Sequence, residues 1–396
     1  MKLLVTWSQL PKSARRYILY HCMVTPLLFT WYLIPYLMFQ SGLEVFEAGF
    51  LFTLGALFSS ILTLIVGRFL DRGESNVLIA VSHIIDGLSY MLYFFAFSMK
   101  SSWLILLAIS VNKFSGAFYP AYAVYEYVAY PSEIRDVAFL WHNILPFTSQ
   151  AITYPIIGFI FGVLFPTIEG MLAGLLIVSF LTFLIIPLLF TWLPRVKGDV
   201  VKEDKPASRK VFIKLNKSFI LAGSAYLFLI FADYIVPPLV LVNVLTEFFG
   251  GGLFEVGVYE AIVGVTLAFS SILLLKFRSK RKKLMLTLGY LLVFLADTVM
   301  FFSFNIYLTF LSAFLMSIGG AIAFPYQRDI LYSTIPEEFK GTYMGVLSAV
   351  SKVIGIVSPL IAGFIASIHA QLPYALSALL VVFSLLLFII TPYENE

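Results

Sequence analysis

The chain is poor in charge and nearly devoid of cysteine. Only 12% of its 396 residues are Asp, Glu, Lys or Arg, and 60% are hydrophobic. A soluble domain carries about a quarter charged residues, so a soluble globule is excluded. Cys22 is the single cysteine, which excludes an intramolecular disulfide and any zinc site built on cysteine pairs. The four histidines, His21, His83, His142 and His369, show no metal-ligand spacing along the chain. No polar stretch exceeds about 25 residues, too short for an extramembrane domain. A nucleotide-binding motif is also missing, which excludes a built-in ATP drive. The net charge of +4 gives no ground for a nucleic-acid partner, because the bases follow topology instead.

What the chain does have is long apolar runs, each near the length that crosses a bilayer as helix. Twelve are read: Tyr17–Gln40, Gly49–Val66, Val77–Phe97, Trp103–Val128, Val137–Gly162, Glu169–Leu193, Ser218–Val244, Val256–Leu275, Leu284–Ser303, Ile306–Tyr332, Thr342–Ser367 and Pro373–Thr391. Unbroken runs without alternation favour helices over a β-barrel. The basic N-terminus leads straight into the first run and reads as a signal anchor, not a cleaved leader. Segments on the N-terminal side of the membrane hold 22 of the 26 Lys and Arg, and the opposite side holds only Lys100. The positive-inside rule then puts both termini in the cytoplasm of a cell membrane. The polar stretch Pro194–Lys217 divides the chain into an N-terminal bundle (1–193), a linker (194–217) and a C-terminal bundle (218–396).

The halves repeat one another. Tyr32-Leu-Ile-Pro35 parallels Tyr234-Ile-Val-Pro237, and Phe46-Glu-Ala-Gly49 parallels Phe254-Glu-Val-Gly257. Phe58-Ser-Ser-Ile-Leu62 recurs as Phe269-Ser-Ser-Ile-Leu273. Pro120, Pro131, Glu133, Arg135 and Gly158 recur 205 positions later as Pro325, Pro336, Glu338, Lys340 and Gly363. Between spans 2 and 3 lies a polar, glycine-punctuated break from Gly67 to Asn76, with Gly67, Asp71 and Arg72 in fixed register. That break resembles the loop between helices 2 and 3 of the major facilitator superfamily, roughly Gly-x-x-x-Asp-Arg-x-Gly-Arg-Arg/Lys. Gly73 falls one position early, and Glu74, Ser75 and Asn76 replace the glycine and bases that follow. A parallel six-helix repeat is that superfamily's internal symmetry.

The resemblance implies twelve transmembrane helices in two pseudo-symmetric bundles, an all-α membrane fold. Spans 1, 4, 7 and 10 are then expected to line a central cavity. It also implies a gate, in which Asp71 docks at the start of span 11 near Gly341 and Thr342, and Arg72 engages Glu126. Gly67, Arg135, Arg328 and Asp329 join the gating candidates, the last two as either a gate pair or an interfacial pair.

An ionisable side chain deep in a bilayer is costly and so a functional candidate. Counted by helical rise, Lys113, Asp233 and Lys352 fall in the middle third of their spans, with Lys113 and Asp233 level enough to pair. Asn112 and Tyr119 lie on a polar stripe of span 4 beside Lys113, Tyr32 and Tyr36 on an uncharged stripe of span 1, and Asn143 and Gln150 on one of span 5, while Tyr234 adjoins Asp233. Asp233 is the expected proton-coupling carboxylate, and the lysines are expected ligands for an anionic or zwitterionic solute. His83 and Asp86 share a face of span 3 and are read as polar packing, as is Asp297. Glu260, one turn inside the edge of span 8, is expected to be wet.

These features point to a monomeric secondary transporter of a small solute, working by alternating access with protons as partner and no cofactor. A proton-linked efflux antiporter of the same fold is the nearest alternative, and a non-transporting receptor or membrane-embedded enzyme is the alternative from another class. No clustered nucleophile and base supports an enzyme.

Overall fold

The computed structural model describes residues 7–70, 74–130, 134–195, 217–276, 281–335 and 340–392. Among them are twelve helices long and apolar enough to cross a membrane. They are α1 (Lys12–Gln40), α2 (Val45–Leu70), α3 (Ser75–Ser98), α4 (Ser102–Ala129), α5 (Arg135–Phe159), α6 (Ile168–Trp192), α7 (Lys217–Ile235), α8 (Leu253–Lys276), α9 (Lys282–Phe301), α10 (Ile306–Ser333), α11 (Lys340–Ile368) and α12 (Leu372–Ile390). With an even number of spans, the start of α1, the end of α6, the start of α7 and the end of α12 fall at one end of the bundle. This is called the basic end, after the Lys and Arg read onto that side in the sequence; the other is the far end.

Three departures from the expected spans have local causes. The run read as Ser218–Val244 is two pieces, because α7 stops at Ile235 and a separate helical segment runs from Pro238 to Phe248. Pro237 and Pro238 offer no N–H, and the residue before a proline leaves the α region. Pro237 is extended, at φ −67° and ψ 170°. In α1 a 3₁₀ turn, Thr25–Phe29, forms at Pro26. The break read from Gly67 to Asn76 is shorter than expected. Gly67 is still helical in α2 and α3 begins at Ser75, while Asp71, Arg72 and Gly73 lie outside the described residues.

The internal repeat reappears as geometry at the far end. Gly42 and Gly250, 208 positions apart, both take positive φ (89° and 68°) in the turns before α2 and α8. Each following helix is capped alike: Glu47 Oε2 accepts from Glu44 N at 2.9 Å, and Glu255 Oε2 accepts from Gly252 N at 2.7 Å. A carboxylate there satisfies an orphan N–H and meets the positive end of the helix dipole.

The halves meet chiefly along two helix pairs, α2 with α11 and α5 with α8. Both seams close through glycine. A Cβ added at Gly49 would stand 2.3 Å from the Pro359 carbonyl oxygen, and one at Gly257 would stand 2.5 Å from that of Tyr154. Likewise a Cβ at Gly363 would meet Val45 O at 2.7 Å, and one at Gly158 would meet Leu253 O at 2.3 Å. The partners match by the same offsets, 208 positions for α2 and α8 and 205 for α5 and α11. Thr53 Oγ1 accepts a further bond from Leu360 N at 3.0 Å across the first seam. Small residues let backbones approach closely where no water drives association. The far end is therefore the sealed end.

Candidate functional site

A cavity of about 490 Å³ lies between α1, α2, α4, the broken α7 and α11. Asn112, Lys113, Asp233 and Tyr234 line it, with Trp31, Pro35, Phe52, Pro237 and Pro359 among their apolar neighbours. Both charged residues sit beside helix irregularities. Asp233 is two residues before α7 ends, and Lys113 precedes the 3₁₀ turn Gly116–Phe118. A carboxylate at a helix C-terminus meets the negative end of the dipole, so it gains from a cation in the same cavity. The expected ion pair is nevertheless absent. Among the described residues neither Lys113 nor Asp233 forms one. Lys113 instead stands 5.7 Å from the Phe52 ring centre, and both charged side chains are exposed to the cavity. A cation and an anion facing one space without touching leave each free to meet a solute.

The other candidates divide. Lys352 is exposed and lies outside the cavity lining. Asn143 and Tyr119 are also exposed, Tyr119 standing edge-on to Tyr122 at 6.0 Å. Tyr36 is half-buried nearer the far end. Asn112 also donates to Asp86 Oδ1 and Ser89 Oγ, each at 3.2 Å, so the polar face of α3 supports the cavity wall.

Tyr32 and Gln150 belong to a second cluster, around Glu260. The expectation of a wet Glu260 is wrong: it is 7% exposed. Because α8 begins at Leu253, three residues before the predicted start, Glu260 lies two turns inside the helix. Gln150 Nε2 donates to its carboxylate at 2.8 Å and to its backbone carbonyl at 3.1 Å. Tyr32 and Tyr154 face the same carboxylate. This side chain bond crosses the α5–α8 seam. Asp297 is fully buried on α9; Ser377 donates to its Oδ2 at 2.7 Å, and Oδ1 has no partner.

A third cluster corrects the reading of the histidines. His21 on α1, Glu126 on α4 and His142 on α5 each present a ligand-type atom, and the three atoms lie within 4.8 Å of one another. Their separation along the chain hid a proximity that only helix packing creates. His83 of α3 bonds the Tyr20 hydroxyl and stands apart from this group.

The gating candidates have their own partners. Glu126 accepts from the Tyr17 hydroxyl at 3.5 Å and stands 3.6 Å from His142 Nδ1; its expected partner Arg72 lies outside the described residues. Arg135 donates to the carbonyls of Tyr130 (3.1 Å) and Tyr127 (3.3 Å) and stacks 4.3 Å from the Tyr127 ring. It caps the end of α4, where free carbonyls favour a cation. Asp329 pairs with Lys282 at 2.5 Å, not with Arg328. Both side chains of this pair are substantially exposed, and such pairs are worth little. Asp329→Ala should therefore move the melting temperature by no more than about 1–2 °C, read by thermal denaturation in detergent.

Residues 222–396 match the family model of the Major Facilitator Superfamily. Over nearly its full length the chain superimposes on transporters. The nucleoside transporter NupG, in a mutant form, gives a TM-score of 0.69 at 13% identity, covering 96% of this chain and 100% of that one. A bacterial homologue of the iron transporter ferroportin in an inward-facing state gives 0.69 at 14%, covering 95% and 97%. A POT family transporter in complex with a thioalcohol-conjugated peptide gives 0.69 at 14%, covering 98% and 99%. The family match is confined to the C-terminal half, and the chain as a whole has the fold of these transporters. Its twelve long apolar helices make it a multi-pass membrane protein of that fold. No curated protein sequence matches it.

Beyond the shared fold, the informative part of this chain is its cavity. Lys113 and Asp233 were legible because charge inside an apolar run is conspicuous. Glu260 carried the same signal and was discounted only through a helix start misplaced by three residues. The His21–Glu126–His142 group carried none, since each residue sits alone on its helix.

Proposed function

We propose that the chain is a secondary active transporter that moves a small organic anion or zwitterion by alternating access, coupled to protons through Asp233. The observation that carries this reading is the separated pair of opposite charges in one cavity between the halves. Lys113 supplies a cation for a carboxylate or phosphate, Asp233 an anion for an amine or a proton, and Tyr234 and Asn112 supply hydrogen bonds. A site at a helix break near the midplane is where such transporters bind cargo. The similar structures name a nucleoside, iron and a peptide conjugate, so cavity chemistry and not the fold must choose the cargo.

On this reading the two bundles, 1–193 and 218–396, rock as units about the cavity. The basic end faces the cytoplasm of a cell membrane, so the sealed far end makes this the inward-facing state. Alternation would require the glycine seams to part and the basic ends to meet.

A thermal-stability screen of the purified protein against a metabolite library tests the site. Anionic or zwitterionic hits should raise the melting temperature of the wild type by several degrees, as ligand linkage requires, and should lose that shift in Lys113→Ala. Hits that stabilise both proteins equally would place the binding site elsewhere.

A further inference from the structure

The His21–Glu126–His142 cluster has no part in the cavity just described. It lies toward the basic end, between α1, α4 and α5. The two imidazole centres are 4.4 Å apart with planes inclined by 41°, and Glu126 Oε1 is 3.6 Å from His142 Nδ1. A separate observation points inward: His21 Nε2 is buried and has no hydrogen-bond partner. Buried polar atoms are almost always satisfied, so an orphan nitrogen on an imidazole packed against a second imidazole and a carboxylate marks a missing ligand.

The surroundings are built to orient these groups. The Tyr130 hydroxyl is 2.7 Å from His142 Nδ1. Tyr17, fully buried, places its hydroxyl 3.5 Å from Glu126 Oε1 and stands edge-on to His21 at 4.6 Å and His142 at 5.7 Å. Hydrogen-bonding groups that hold the imidazole and carboxylate ligands in place are the usual outer layer of a metal site. The His142 and Glu126 side chains remain 16% and 23% exposed, which leaves a path inward.

We propose that His21, Glu126 and His142 bind a single divalent transition-metal ion of the Zn²⁺ type. Two imidazoles and one carboxylate form a three-ligand set that leaves one position open. Mixed nitrogen and oxygen donors select Zn²⁺, Co²⁺ or Ni²⁺ over Mg²⁺ and Ca²⁺, which take oxygen alone. Around an ion with bonds of about 2.1 Å, tetrahedral ligand atoms stand about 3.4 Å apart. The observed spread, within 4.8 Å, exceeds that by little more than 1 Å. The ion would give His21 Nε2 a partner, neutralise Glu126, and tie α1 to α4 and α5.

The test uses the full-length protein with any affinity tag removed and metals stripped. Titration with Co²⁺ should develop a saturating visible absorption at one ion per chain, bleached by Zn²⁺ and not by Mg²⁺. His21→Gln and His142→Gln should each weaken binding at least about tenfold, while His83→Gln leaves it unchanged. Matching melting temperatures in metal-free buffer establish that the variants fold. Absence of a saturable spectrum up to millimolar Co²⁺ would overturn the site. So would a spectrum that survives the His21→Gln/His142→Gln double variant, or one that Mg²⁺ displaces as well as Zn²⁺.

Discussion

Leucine at Gly257 should cut solute flux by about a hundredfold and leave the far end of the bundle open. Its Cβ would stand 2.5 Å from the Tyr154 carbonyl oxygen and 3.0 Å from the Pro155 Cα. Both neighbours are backbone, so no side chain can swing aside. Overpacking of this kind costs about 1–3 kcal/mol, and a backbone clash belongs at the upper end. On the proposed alternation the contact exists only when the far end is closed, so the whole cost falls on that state. About 3 kcal/mol shifts a two-state equilibrium by roughly 150-fold. The single cysteine makes the test clean: in a Cys22→Ser background, a cysteine placed at Tyr36 should react faster with an impermeant maleimide from the far side. Unchanged labelling and flux in Gly257→Leu would show that the glycine seam is not the closure.

Asp233→Asn should abolish accumulation driven by a pH gradient while sparing exchange of solute for solute. The amide keeps the shape of the carboxylate but cannot take up or release a proton. One pH unit corresponds to about 1.4 kcal/mol, enough for about tenfold accumulation per coupled proton. The variant should lose that factor for each unit imposed in proteoliposomes, and exchange should persist because Lys113, Asn112 and Tyr234 still line the cavity. If the Asp233→Asn protein accumulates solute as the wild type does, coupling through this residue is wrong.

Most of the architecture was legible because membrane insertion imposes strong rules on sequence. Twelve runs and the distribution of bases led to the fold without reference to packing. The repeat said more than its use as a symmetry argument required. The pairs Gly49/Gly257 and Gly158/Gly363, visible as recurring letters, are the residues that join the two halves. Which glycines touch which helix was hidden, since a repeat reveals equivalence but not contact. The cavity charges were found by cost: Lys113 and Asp233 stand out in apolar helices. Their failure to pair was not foreseen, because similar depth along two helices says nothing of the gap between them. Span ends were the weak point. Three residues at the start of α8 turned Glu260 from a wet edge residue into a buried one bonded to Gln150. In α7, Pro237 and Pro238 were in plain view, and the apolar run on either side disguised a break.

The central claim is that this cavity carries its ligand across the membrane and does not merely hold it. Counterflow measures this directly. Proteoliposomes loaded with an unlabelled hit from the stability screen are diluted into a trace of the labelled compound, without ATP. Label should accumulate transiently above equilibrium, an effect absent from protein-free vesicles and strongly reduced in Lys113→Ala. Tight binding of the same compound with no counterflow in wild-type vesicles would contradict it and make the chain a receptor.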